Sequence, residues 1–129
     1  MKSNEELMKI VLLKPGEFAS ITTIQRGLKS FQSVVGGLIE TCYFTEDHVV
    51  LICNEEGKIN NLEMNRGLYQ NGELLDVIVG TAFVCGIGED DMIGLTNDLA
   101  KKYCKLFYYP ERFYVSPITG KIIGRKYNP

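Results

Sequence analysis

Leu74-Leu75-Asp76-Val77-Ile78-Val79-Gly80-Thr81-Ala82-Phe83-Val84-Cys85 is the stretch on which the fold turns. It is almost unbroken Val, Ile, Leu, Phe and Thr, residue types that suit a pleated surface. A strand with one wet face alternates apolar and polar side chains, whereas a continuous apolar run belongs to a strand covered on both faces. The run therefore reads as the central strand. Gly80 within it predicts a bulge or a close backbone contact.

On the N-terminal side, Met8 to Leu13 is a second continuous apolar run, closed by the turn Lys14-Pro15-Gly16, and reads as another buried strand. Phe18 to Ile24, rich in β-branched residues, predicts a strand after it. From Ile24 onward Leu28, Phe31, Val34 and Val35 recur at helical spacing, and Gly36-Gly37 supplies the stop. Gly27 lies inside that predicted helix at a cost of about 1 kcal/mol relative to alanine, which suggests close approach to the sheet. Leu38 to Phe44 and His48 to Cys53 read as strands. Asn54-Glu55-Glu56-Gly57 is expected to turn the chain into a further strand over Lys58 to Leu62. Asn65 to Tyr69 is expected as one helical turn, and Asn71-Gly72 as a turn.

On the C-terminal side, Gly86-Ile87-Gly88 opens an acidic loop, Glu89-Asp90-Asp91. Thr96 caps a predicted helix with Asp98 near its positive end and Lys101, Lys102 and Lys105 toward its negative end. Leu99, Tyr103, Leu106 and Phe107 are expected to face inward, and Pro110 ends the helix. Tyr114-Val115, the turn Ser116 to Gly120 and Lys121 to Gly124 predict a terminal hairpin. The sum is a single-domain α+β fold, with a mixed or antiparallel sheet of about five to seven strands and two main helices. Residues 1–7 read as a flexible leader, 8–110 as the core domain, and 111–129 as a basic, aromatic extension.

Composition agrees with one ordinary globular domain: 129 residues, 45% hydrophobic and 23% charged. Such a chain buries enough surface to need no disulfide or metal. Cys42, Cys53, Cys85 and Cys104 form no C-x-x-C pair and sit in apolar stretches, so they read as reduced, buried thiols. No apolar stretch reaches signal-peptide or membrane-spanning length, which predicts a cytoplasmic protein without membrane contact. The net charge of −2 hides an asymmetry. Residues 1–98 carry seven Lys/Arg against fifteen Asp/Glu, and residues 99–129 carry seven Lys/Arg against Glu111 alone. Seven of the thirteen aromatics also fall in that last segment, and such asymmetry is one signal of nucleic-acid or partner binding.

Catalytic patterns are absent. His48, the one histidine, follows Glu46-Asp47 at a turn, and no nucleophile elbow or zinc-protease motif occurs. Gly86-Ile87-Gly88 lacks the third glycine of a dinucleotide fingerprint, and the acids beyond it would repel a pyrophosphate. Three adjacent acids do not converge on an ion unless the backbone wraps it, so a solvated loop is the expectation, with no metal and no cofactor. Two groups remain. Asn54, Glu56, Asn65 and Arg66 gather in a short polar stretch, where Arg66 offers a planar fork for a carboxylate or phosphate. In the tail, Lys101, Lys105, Arg112, Lys121, Arg125 and Lys126 alternate with Tyr108, Tyr109, Phe113 and Tyr114, the composition of a single-strand-binding groove. Core aromatics with a solvated basic face, or a tail docking on a neighbouring subunit, would produce the same composition.

Val35-Gly36-Gly37-Leu38-Ile39-Glu40, Leu51-Ile52-Cys53-Asn54-Glu55-Glu56-Gly57-Lys58, Asn65-Arg66-Gly67-Leu68-Tyr69 and Asp76-Val77-Ile78-Val79-Gly80-Thr81-Ala82-Phe83 stand in that order. The series, over about residues 8 to 110, resembles a family of small domains of unknown function encoded by phages, plasmids and conjugative elements of mostly Gram-positive bacteria. The chain departs from it in having Glu63-Met64 where a proline precedes the Asn-Arg pair, and in the extension beyond Pro110. The resemblance implies a mobile-element setting and a shared polar site drawn from Asn54, Glu56, Asn65, Arg66, Asp76 and Thr81. The expected function is that of a non-enzymatic accessory protein acting by binding. It would counter host defence by engaging a defence protein or sequestering a small nucleotide signal. Nucleic-acid binding through the tail and an enzyme built on acidic residues are the alternatives. A homo-oligomer is expected from the exposed aromatics.

Overall fold

The structure, a computed structural model, describes residues 6–129. The expected leader 1–7 lies mostly outside the described residues; Leu7 is already in the first strand. In chain order the elements are β1 (Leu7–Leu13), β2 (Ser20–Gln25), α1 (Leu28–Val35), β3 (Ile39–Cys42), β4 (Val49–Asn54), β5 (Met64–Gln70), β6 (Glu73–Val79), β7 (Ala82–Ile87), β8 (Met92–Ile93), α2 (Asn97–Leu106), β9 (Glu111–Val115) and β10 (Ile122–Lys126). The main sheet runs β2-β1-β7-β4-β3, with β8 hydrogen-bonded to β7 as the sixth strand. β5 and β6 form one separate hairpin and β9 and β10 another. Every ladder is antiparallel. The protein is thus a single-domain α+β fold, as expected.

The apolar runs are explained by two cores, one on each face of the sheet. Met8, Ile10, Val50, Ile52, Phe83 and Cys85 pack under Phe31 and Val35 of α1. On the other face, Val11, Leu13, Val49, Leu51 and Val84 pack against Ala100 and Tyr103 of α2, against Phe107 just after it, and against Leu68 and Ile78 of the β5–β6 hairpin. Every residue of β4 is buried in consequence. The β9–β10 hairpin lies outside β5, to which Glu111 ties it.

Four local expectations are corrected. The stretch Leu74 to Cys85 is two strands: Gly80 adopts φ 74°, a left-handed conformation, and breaks the run. β6 is spent in the outer hairpin, and β7 alone becomes the centre of the sheet. A close contact does occur at Gly80, where an added Cβ would meet Leu62 Cδ1 at 2.7 Å. Asn65 to Tyr69 is strand, not helical turn. Asn71 and Gly72, at φ 52° and 80°, make the two-residue primed turn that joins β5 to β6. Lys58 to Leu62 is not a strand, because its amides are satisfied locally: Asn60 N donates to Glu56 O at 2.9 Å and Leu62 N to Gly57 O at 2.9 Å. Finally, Ile24 belongs to β2, paired with Met8, and α1 begins only at Leu28. Gly27 is the residue before the helix at φ 125°, with no neighbour within 4 Å of an added Cβ, so its role is conformational and not close approach.

The remaining boundaries follow the expected chemistry. Gly36 at φ 82° closes α1, its N–H reaching Gln32 O at 2.8 Å. Thr96 Oγ1 accepts from Leu99 N at 3.2 Å to cap α2. Leu106, expected inward, is half exposed, and Ala100 takes the inner face with Tyr103 and Phe107.

Candidate functional site

The polar residues expected to form one site divide into four places. Asn65 and Arg66 are both fully buried, although consecutive strand residues normally face opposite ways. A bulge between Met64 and Arg66 turns both inward. Asn65 Nδ2 donates to Leu13 O at 2.9 Å and Gly80 O at 2.8 Å, while its Oδ1 accepts from Arg66 Nη1 at 2.8 Å. Arg66 donates further from Nε to Phe107 O at 2.9 Å, from Nη1 to Lys14 O at 3.3 Å and from Nη2 to Glu17 O at 2.6 Å. Burial lowers the guanidinium pKa, opposed by the nearby Glu111 carboxylate. The Asn-Arg pair is accordingly a staple that holds together β5, the end of β1, the loop before β2 and the end of α2. Its fork is occupied by the protein's own carbonyls.

Asn54 is likewise turned to the backbone, donating to Val35 O at 3.2 Å and accepting from Glu56 N at 2.8 Å. Glu56 is exposed in the turn that follows β4. Asp76 lies at the surface, where it accepts from Lys58 Nζ at 2.6 Å and from Val77 N at 2.8 Å. Thr81 sits half-buried at the β6–β7 break. These side chains do not converge on a common cavity.

The tail residues do converge in part. Lys101 and Lys105 stand four residues apart on α2, hence on one helix face. With Lys126 of β10, Ile21 of β2, Cys104, Tyr108 and Tyr109 they line an open basin of about 560 Å³. Tyr108 stacks on Phe18, ring centroids 4.7 Å apart, and Tyr109 meets both rings edge-on at 5.2 and 5.8 Å. All three rings are partly exposed, at 38% to 42%. Among the described residues none of the three lysines is in an ion pair. Lys102, by contrast, is bound to Asp47 at 2.7 Å, and that hydrogen bond, together with one from Tyr103, holds the Asp47 carboxyl below its ordinary value.

The other three basic candidates lie apart from the basin. Arg112 covers the Tyr127 ring at 4.2 Å, Arg125 Nε donates to Tyr114 Oη at 2.6 Å, and Lys121 lines a different groove. Phe18, which braces the basin's two tyrosines, and Ile21, which lines it, are what sequence reasoning missed. Glu111 is the other omission: it is buried, accepting from Gly67 N at 3.0 Å and Tyr69 Oη at 2.6 Å. Its signal was its solitude, a single acid in a strongly basic segment.

Burial raises all four thiols, Cys53 and Cys85 to about 12, which keeps them protonated and poorly nucleophilic at neutral pH. No three His, Cys, Asp or Glu side chains among the described residues are grouped as metal ligands. No described helix is long and apolar enough to cross a membrane.

A two-faced antiparallel sheet with a helix on each side, braced by an inward-facing Asn-Arg pair and bearing a lysine–tyrosine basin, defines a single-domain α+β protein. No curated protein and no solved structure matches it. Residues 8–108 match the domain of unknown function DUF3846, and the chain belongs to that family.

Proposed function

We propose that the protein acts by binding, and that the basin takes single-stranded nucleic acid. The observation that carries this reading is the meeting of three unpaired lysines with Tyr108 and Tyr109, two half-exposed rings braced by Phe18. Lysines neutralise phosphates and release their counterions, and aromatic faces stack bases whatever the sequence. The basin is open, as a passing strand requires, and its rings are pre-set by contact with one another. The mobile-element setting implied by the sequence resemblance would make the protein an accessory factor of a phage or conjugative element. Binding there would serve to shield or sequester nucleic acid.

The test is fluorescence anisotropy with short labelled single-stranded DNA and RNA across a salt series. Three phosphate contacts predict a log K against log salt slope of about −2, and Lys105→Ala should reduce its magnitude by about 0.7. Tyr108→Ala should weaken binding by about 1–3 kcal/mol. Binding unaffected by either substitution would reject the basin.

A second reading rests on size: about 560 Å³ suits a nucleotide-sized ligand. In that case a nucleotide signal of host defence is the ligand sequestered. A thermal-shift panel of mononucleotides and cyclic dinucleotides separates the two readings. A ligand at a hundred times its Kd should stabilise the protein by about 2.7 kcal/mol.

A further inference from the structure

A second groove, of about 620 Å³, lies on the outer side of the β5–β6 hairpin, with Lys121 and Ile122 of the β9–β10 hairpin along one side. Its apolar character comes from strand register. The ladder skips from Leu68↔Asp76 to Tyr69↔Leu74, which leaves Leu75 without a partner and 58% exposed. Met64 and Ile122 add apolar surface at 47% and 46% exposure. Leu75, Met64 and Ile122 thus give the groove an apolar strip open to water.

The charges in the groove indicate what covers it. Lys58 and Asp76 already pair with each other at 2.6 Å. Glu73 and Lys121 line the same groove, and neither has a charged partner among the described residues. One unanswered acid and one unanswered base on the lining of the same groove are self-complementary. A two-fold axis through the strip would bring Glu73 of each copy toward Lys121 of the other, as an isologous interface requires. A partner with a uniformly charged surface would satisfy one of the two and repel the other.

We propose that this face is the two-fold interface of a homodimer, with Leu75 at its apolar centre and Glu73 and Lys121 pairing across it. Lys101 and Lys105 of α2 line the basin and not this groove, so dimerisation and ligand binding are separable.

Sedimentation velocity of the full chain over a concentration series tests the proposal. Wild-type protein is expected as a concentration-dependent dimer, and Leu75→Asp as a monomer with an unchanged circular dichroism spectrum. Glu73→Lys and Lys121→Glu alone should each weaken the dimer about tenfold, equivalent to about 1.4 kcal/mol. The double variant Glu73→Lys/Lys121→Glu should recover it, because the swapped charges again meet across the axis. A folding defect would instead be compounded in the double variant, which keeps the test decisive even if Leu75→Asp fails to fold. A chain monomeric at every concentration overturns the proposal. So does a dimer indifferent to Leu75→Asp, a higher or open-ended assembly, or a double variant no better than the singles.

Discussion

Arg66 answers three carbonyls and the Asn65 amide oxygen from inside the protein, and that crowding determines what its replacement does. Arg66→Met leaves the carbonyls of Glu17 and Phe107 without their donor, leaves Lys14 O with the Glu17 N–H alone, and removes the positive charge near Glu111. Losing one side of a buried charged network typically costs about 3–5 kcal/mol, and denaturant unfolding should show a loss of that order. Arg66→Lys should recover only part, because an ammonium on a single stem cannot reach carbonyls on three segments as a planar fork does. A second residue-level effect concerns alkali. Burial pushes the Cys85 thiol from 9.0 to about 12. Above pH 9 the unfolded chain ionises this thiol and the folded chain does not, so the unfolded state gains. Stability is therefore undiminished by Cys85 below pH 9 and falls by about 1.4 kcal/mol per pH unit as pH rises from there toward the folded value. Burial of Cys53 acts in the same sense. Urea midpoints measured from pH 8 to 11 should fall less steeply for Cys85→Ala than for the parent.

At the level of elements, side-chain periodicity was the readable signal and backbone conformation the hidden one. β1, β4 and β7 were legible because a sheet covered on both faces demands unbroken apolar residues. The same property concealed the break between β6 and β7, since apolar side chains continue through Gly80 while the backbone there turns left-handed. Asn71-Gly72 carried a hairpin signal that called for pairing Asn65–Tyr69 with Leu74–Val79. Reading the latter as part of one long central strand hid that pairing. Gly80 is consequently a fold-determining position. Gly80→Ala would force an L side chain into the left-handed region, at about 1–2 kcal/mol. It would also press a Cβ onto Leu62. A loss of at least 2 kcal/mol is expected, roughly the backbone term plus overpacking. Gly72→Ala, where φ is also positive but nothing lies within 4 Å of the added carbon, should show the backbone term alone. Equal losses at the two sites would mean that the Leu62 contact relaxes freely.

Across the whole molecule, the charge asymmetry foretold a basic surface but not its division. Of the six basic candidates, Lys101, Lys105 and Lys126 meet only because β10 folds back toward α2, a tertiary event that spacing along the chain does not encode. The Asn-Arg pair misled for the complementary reason: a polar pair amid turn residues looks like a binding site until the fold supplies carbonyls that occupy it. The same long-range logic decides whether residues 111–129 are an appendage. The family match ends at residue 108, yet Arg66, inside it, has Glu111, outside it, as its nearby countercharge. Glu111 also takes the Gly67 amide and the Tyr69 hydroxyl, and burial followed by that hydrogen bond raises the Tyr69 pKa. A chain ending at Pro110 would take the acceptor from the Tyr69 hydroxyl, strand the Gly67 N–H and leave Arg66 without its neighbouring carboxylate. It should lose about 3 kcal/mol or more, which for a domain of this size lowers Tm by at least about 10 °C. Glu111→Gln in the full chain should show a smaller loss, because the amide oxygen can still accept while the charge is gone. A loss of the proposed nucleic-acid binding on truncation would thus be no measure of contacts made by the tail itself, whereas Lys126→Ala, at an exposed and unpaired residue, would test that contribution without touching the fold. A truncated chain with an unchanged melting transition would show that the β9–β10 hairpin is only appended.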